Sequence, residues 1–484
     1  MGKNYSPDET GKIRNLAKEY EAAQAEGKML YLDADQLAAI ANYYCATGQQ
    51  DKAEELLHSA LQVHPNNTDL LLELSYYYLD RGKRAKAKNV ADCISETYSS
   101  EVKMLKAEIL LGDNKLEEAQ RLVDTIEDTD DLETLAEIVY LFLEMGHPEI
   151  AKEWLDKGKE LHGEEEDYLA LSADYYEATH DTDKLKECFN KLIDKSPYSA
   201  TYWMGLAKCY FIEQDIDKTM ESCDFALAAN EEYGEAFAYK AHCYFNLNNF
   251  EKAVEYYKKA KEYHAVPPEM GDIFLAMSYA AQGDWANTQY YCQRTIDFFE
   301  ETEDEPSKLP FILEIYTTLA TALAEMERYE EAHQLCREQI ARGYEKETFW
   351  LTEGKIYIIE KKLTEAAQTF RKAENMFSIV EIWYEIGNIY SEYDYIEEAK
   401  EYYLKVYEEN PRYHDVSEKL SVISILTHDL ESFVKYNKEC NLPFNVETIK
   451  RLLASTTPRE EDRPILQKLI DRLREERDKE KDNK

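Results

Sequence analysis

A small residue followed three positions later by an aromatic one recurs along most of this chain. The pairs are Ala41 and Tyr44, Ser75 and Tyr78, Ala173 and Tyr176, Ala207 and Tyr210, Ala241 and Tyr244, Ala276 and Tyr279, Gly354 and Tyr357, and Gly387 and Tyr390. Tyr176, Tyr210 and Tyr244 stand 34 residues apart, as do Tyr44 and Tyr78. Nine residues beyond that phase a second small residue returns as Ala53, Ala87, Ala119, Ala151, Ala253, Ala332, Ala366 and Ala399, with departures at Leu185, Thr219 and Thr288. A large apolar residue often precedes the first small one by four, as at Leu37, Leu71, Leu169, Trp203, Phe237, Tyr316, Trp350 and Trp383. Pro65, Pro197 and Pro411 fall at one later phase, where a helix has to stop. A period of this length means one supersecondary unit repeated, each copy burying its apolar face only against its neighbours.

The chain has 484 residues, too many for one globular core. Gly (16) and Pro (12) are few and 32% of residues are charged, which favours an all-helical chain. The pattern resembles the tetratricopeptide repeat. The resemblance implies a right-handed superhelical solenoid of about eleven helix-turn-helix repeats, starting near 34, 68, 100, 132, 166, 200, 234, 269, 313, 347 and 380. The repeat near 100 is the weakest, with Lys103 and Leu110 in place of the large apolar and aromatic residues. The expected organisation is a capping helix and linker over 1–33, eight repeats over 34–302, a linker over 303–312, three repeats over 313–413, and a helical cap with a charged tail over 414–484. Ser6-Pro7-Asp8-Glu9 reads as a capping box opening the first helix, with Gly27 able to close it. Lower order is expected at His264–Pro268 and at Glu300–Pro310. Ile465, Leu466, Leu469, Ile470 and Leu473 make a stripe that either caps the last repeat or self-associates.

Acids number 98 against 57 bases, a formal charge of −41. Nucleic acid and anionic lipid, which need clustered positive charge, are excluded as partners on that ground. Nine scattered Cys form no Cys-x-x-Cys pair, which points to reduced thiols rather than a disulfide framework. The polar N-terminus shows no leader and no apolar run is long enough to span a bilayer, so a cytoplasmic location is expected. No phosphate-binding loop, dinucleotide fingerprint or His-Glu-x-x-His occurs. His333 and Cys336 share a helix face, but a structural zinc site needs four ligands. No cofactor, metal or catalytic group is expected.

In the family that the chain resembles, the first helix of each repeat lines the concave surface, through roughly its second, fifth, sixth, ninth, twelfth and thirteenth positions. In repeats one to five those positions hold Asp35, Asp69, Glu73, Asp80, Glu101, Glu108, Glu133, Glu137, Glu144, Asp167, Asp174 and Glu177, and no Lys or Arg. Repeats six to eight turn apolar, with Met204, Phe211, Tyr239, Phe245, Phe274 and Met277. Lys208, His242, Lys355 and Asn388 occupy ninth positions and Tyr384 a fifth. The candidate peptide-binding residues are therefore Glu73, Glu137, Asp174, Lys208, Tyr239, His242, Phe274, Met277, Lys355, Tyr384 and Asn388. The family's carboxylate clamp pairs Lys at the fifth position with Asn at the ninth. Asn42 and Asn388 fill the ninth here, but Ala38 and Tyr384 fill the fifth, so the clamp is not carried over.

The function implied is a non-enzymatic scaffold holding an extended protein or peptide segment, basic with apolar anchors, in the groove. The alternative is an intracellular peptide-sensing receptor. Such bacterial regulators are similar in their repeats but carry an N-terminal module, for which the 33 residues before the first repeat are too few. An acidic groove as mere background of an acidic chain is the competing reading. The sequence leaves partner identity and oligomeric state open.

Overall fold

A computed structural model describes residues 7–25, 30–301, 312–374, 379–427 and 429–440. Ser6, Gly27, most of the 303–312 linker and the stripe and tail beyond 440 lie outside the described residues. The described residues are helices and turns, with no strand.

The chain divides into two compact units, Met1–Glu231 and Glu232–Lys484. The first unit opens with α1 (Pro7–Ala25). Six helical hairpins follow: α2 (Ala34–Ala46) with α3 (Gln50–Val63), α4 (Thr68–Asp80) with α5 (Arg84–Ala91), α6 (Ser100–Gly112) with α7 (Leu116–Val123), α8 (Leu132–Glu144) with α9 (Pro148–His162), α10 (Glu166–Ala178) with α11 (Thr182–Lys195), and α12 (Ala200–Ile212) with α13 (Ile216–Ala229). The second unit has five more: α14 (Gly234–Asn246) with α15 (Phe250–Glu262), α16 (Pro268–Gln282) with α17 (Trp285–Glu301), α18 (Ile312–Glu325) with α19 (Tyr329–Arg342), α20 (Lys346–Ile359) with α21 (Leu363–Glu374), and α22 (Ile379–Glu392) with α23 (Ile396–Glu409). α24 (Val416–Leu426) and α25 (Leu430–Asn437) complete it. Each unit is a stack of hairpins, the arrangement of a helical repeat solenoid. The eleven first helices begin within one residue of the phases read from the sequence. The His264–Pro268 interruption is a short turn, with Ala265 N–H bonded to Ala260 O and Pro268 opening α16.

The small residues do the packing work that the period implied. Ala41, Ala107, Ala207, Ala241, Ala276 and Ala320 on the first helices, and Ala53, Ala87, Ala119, Ala253, Ala332 and Ala399 on the second, are all buried. Two of the three departures are explained by hydrogen bonding. Thr219 and Thr288 are fully buried, and each hydroxyl donates to the carbonyl four residues back, at 2.8 and 2.9 Å. A hydroxyl satisfied that way fits a site otherwise built for alanine.

Every hairpin turns through one left-handed residue at its fifteenth position: Gly48, Gly82, Asn114, Gly146, His180, Gln214, Asn248, Gly283, Glu327, Lys361 and Asp394. The next N–H closes the turn onto the carbonyl five residues back, as in Lys362 N to Tyr357 O at 2.8 Å and Arg328 N to Leu323 O at 2.9 Å. A Cβ in this conformation costs roughly 1–2 kcal/mol, part of which glycine's extra unfolded-state entropy takes back. Glu327→Gly (φ 61°) and Lys361→Gly (φ 62°) are therefore expected to stabilise the second unit by about 0.5–1 kcal/mol each. Asn114→Gly is expected to gain less, because asparagine tolerates the conformation. Urea denaturation midpoints check both.

Tyrosine has a second task beyond filling space. Across the described residues, eight of its hydroxyls donate to carboxylates of other helices or their flanking turns: Tyr44 to Glu21, Tyr77 and Tyr78 to Glu54, Tyr140 to Asp174, Tyr202 to Glu166, Tyr384 to Asp415, Tyr393 to Glu325 and Tyr407 to Glu439. With 98 acids and only 57 bases, the 38 tyrosines supply neutral donors where cations run short. Burial pushes the Tyr77 and Tyr202 phenols up to about 12, and the carboxylates they face add to it. Burial works to raise Glu54, but the Tyr77 and Tyr78 hydroxyls outweigh it and hold the carboxyl below its usual range. The phenols thus contribute stability that is full below pH 10 and lost as pH rises toward 12. Glu54 contributes stability that is present above the usual carboxylate range and lost as pH falls below it.

Candidate functional site

The first unit gathers its acids around one phenol. Tyr76, at the ninth position of α4, is half-buried. Burial pushes its hydroxyl far up, and Glu108, Glu137, Glu101 and Glu73 push it further. Those carboxylates come from α4, α6 and α8, so three successive hairpins contribute negative charge to the surroundings of Tyr76. Glu108 is itself held above the usual carboxylate range by burial, with Asp80 and Glu144 adding to it. Cys45 on α2 is raised to about 11 by burial, with Glu73 and Asp80 contributing. Carboxylates crowded at low hydration bind a proton, or a ligand cation in its place, more readily than isolated ones. Glu137 and Asp174 are exposed, and Glu73 and Glu108 are half-buried. Tyr140 donates to Asp174 from the preceding ninth position, and Lys208 stands half-buried at the following one. Asn42 starts this ninth-position row. It is 9% exposed and its side-chain nitrogen has no hydrogen-bond partner among the described residues.

The candidate residues of the second unit are mostly engaged by their own chain. Tyr257 hydrogen-bonds His242 Nδ1 at 2.8 Å. Burial lowers the imidazole, which keeps it neutral. Phe274 stacks on Tyr257 with centroids 5.1 Å apart and sets its ring against His242 at 4.9 Å. Tyr239 completes the group at 6.4 Å from His242. Tyr239, Phe274 and Met277 remain half-buried. Asn388 repeats the His242 arrangement, accepting from Tyr403 at 2.8 Å, again from fifteen residues on. Lys355 holds both oxygens of Glu392 at 2.9 and 2.8 Å. Tyr384 donates to Asp415 and lies against the rings of Tyr413 and His414. The structure thus brings Tyr239, His242 and Phe274 together, packs Met277 against a separate cluster that includes Ile273, Ile315 and Leu319, and gives Lys355, Tyr384 and Asn388 separate partners.

Tyr76 and Tyr140 were not singled out from the sequence, and Asn42 was weighed only as part of a carboxylate clamp. Their signal was the spacing: Asn42, Tyr76, Glu108, Tyr140, Asp174 and Lys208 follow one another at 32 or 34 residues. His333 is buried between Glu353 and Glu360, whose carboxylates lie 3.5 Å from its Nδ1 and Nε2 respectively. They face opposite nitrogens, so one ion cannot be shared by all three. Among the described residues no group of three or more His, Cys, Asp or Glu is arranged to hold a metal. No helix among them is long and apolar enough to cross a membrane.

Residues 45–109, 235–263, 312–346 and 380–413 match the tetratricopeptide repeat family. That signature is spread over both units, and the hairpin stack in each is the architecture of tetratricopeptide repeats. It is 20% identical over 257 residues to anaphase-promoting complex subunit 7 of Dictyostelium discoideum, a stretch of 53% of this chain and 42% of that protein. Among solved structures it is similar to a tetratricopeptide repeat protein from Parabacteroides merdae (18% identity, 53% of this chain and 98% of that one, TM-score 0.38). It is also similar to the Cut9–Hcn1 hetero-tetramer of the APC/C (12% identity, 84% and 98%, TM-score 0.32) and to the tetratricopeptide repeat protein YrrB (15% identity, 39% and 92%, TM-score 0.33).

Proposed function

We propose that this chain is a protein-interaction scaffold whose first unit holds an extended, lysine- or arginine-bearing segment of a partner protein. The observation that carries the reading is that Glu108, Glu137, Glu101 and Glu73, from three successive hairpins, all add negative charge around the half-buried Tyr76. A guanidinium or ammonium entering there relieves the mutual repulsion of the carboxylates. The Asn42 amide, buried and unpartnered, adds a donor for a backbone carbonyl of the same segment. In the second unit Tyr239, Phe274 and Met277 offer half-exposed apolar contact to a partner side chain. The similarity to a protein named as one subunit of a larger complex supports a scaffold over a catalyst.

Hydrogen exchange with arrayed peptides tests this. Lysine- and arginine-bearing peptides are expected to protect α4, α6 and α8, and to bind more weakly as salt rises. Equal binding of neutral or acidic peptides, or protection confined to the second helices of the hairpins, would overturn it.

A further inference from the structure

Tyr393 makes an unusual connection. It follows α22, the first helix of the eleventh hairpin, and its hydroxyl donates to Glu325 Oε1 at 2.8 Å. Glu325 closes α18, the first helix of the ninth hairpin, 68 residues earlier. Packed helices stand 8–10 Å apart, so helices two hairpins apart would be separated by roughly 16–20 Å if parallel. Tyr393 and Glu325 bridge that gap by reaching toward each other.

Two observations show where the connection sits. Lys355 of α20 lies beneath it, its ammonium 5.7 Å from the Tyr393 ring and bound to both oxygens of Glu392. Of the two joints it spans, the outer one is the thinner: α22 packs on α20 and α21 more sparsely than α20 packs on α18 and α19. A tie across a thin joint holds the hinge that the joint would otherwise be.

We propose that Tyr393 is a latch: it ties the eleventh hairpin to the ninth across the tenth and, with Glu392, covers the Lys355 ammonium. A segment entering this part of the inner face has to release the phenol first, and in that respect alone the inference rests on the scaffold reading above. The latch itself is a property of the unbound protein.

The test therefore uses the free full-length chain, and its outcome is independent of any peptide-binding result. Tyr393→Phe removes only the hydroxyl, and Glu325→Ala removes the acceptor. Each is expected to speed amide exchange at Glu327–Arg328 and Asp394–Tyr395 by about tenfold, the loss of one hydrogen bond to a charged group. The double variant should show that same tenfold and no more, and Glu325→Gln, which keeps an acceptor, should stay near the parent. Amides of α16 should not change. Lys355 should acetylate several-fold faster in Tyr393→Phe, read by mass spectrometry. Unchanged exchange in the single variants, additive effects in the double, or equal acceleration in α16 would overturn the latch. An unchanged Lys355 acetylation rate would overturn the covering.

Discussion

Replacing Gly354 by alanine is expected to destabilise the second unit by about 2–3 kcal/mol, although alanine is the better helix former by about 1 kcal/mol. A Cβ built on Gly354 would lie 2.1 Å from Cε1 and 2.6 Å from Cδ1 of Phe370. Phe370 is fully buried and packs on Tyr390 with centroids 5.5 Å apart, so its ring has nowhere to go. Overpacking of that kind costs more than the propensity gain returns. The same crossing explains why the eighth position of this hairpin holds glycine where most others hold alanine: an aromatic from the second helix takes up the space. Gly387 against Tyr403 repeats the arrangement in the next hairpin, with the closest approach at 2.7 Å. Shrinking the ring should undo the clash. Phe370→Leu in the Gly354→Ala background is expected to recover part of the loss, although alone it destabilises by leaving a cavity. Urea denaturation of the four proteins reads the cycle. A Gly354→Ala protein as stable as the parent, or more stable, would mean that close approach does not set the small-residue rule.

The hairpin stack was legible because its cause is local and periodic. A small residue is needed wherever two helices cross, and the crossing returns every hairpin, so Ala41 predicts Ala207 and Ala241. The turn chemistry was harder to see. All eleven hairpins use a left-handed residue at the fifteenth position, but only Gly48, Gly82, Gly146 and Gly283 announce it, and the others are residues of ordinary appearance such as Lys361 and Gln214. Backbone closure enforces that conformation, with the residue type following only loosely. Among the candidate binding residues, the acids of α4, α8 and α10 were placed by period alone. The state of His242, Asn388, Lys355 and Tyr384 was not legible, because their partners Tyr257, Tyr403, Glu392 and Asp415 come from other elements, 15 to 37 residues away. The tyrosine–carboxylate bonds have the same character: composition hints at them through abundant Tyr and scarce Lys, but only packing pairs the groups.

Charge reversal separates a functional acidic wall from the background of an acidic chain. Glu73→Lys, Glu137→Lys and Asp174→Lys together place three cations along the row that faces Tyr76 and Tyr140. Each attractive contact with a basic partner is worth about 1 kcal/mol at 4 Å in water, so losing three, before any repulsion by the new lysines, amounts to about 3 kcal/mol, or roughly 100-fold in affinity. The control reverses Glu117, Glu153 and Asp183, exposed acids on α7, α9 and α11, and leaves the net charge of the two variants equal. Thermal unfolding of both variants accompanies the binding data, since Asp174 also accepts from Tyr140. Binding of an arginine-rich peptide to the three proteins at low salt is the most direct measurement. Loss of about two orders of magnitude in the inner-face variant, with the control within a few-fold of the parent, is the predicted result. Equal losses in the two variants would show that net charge, and no built wall, attracts the peptide.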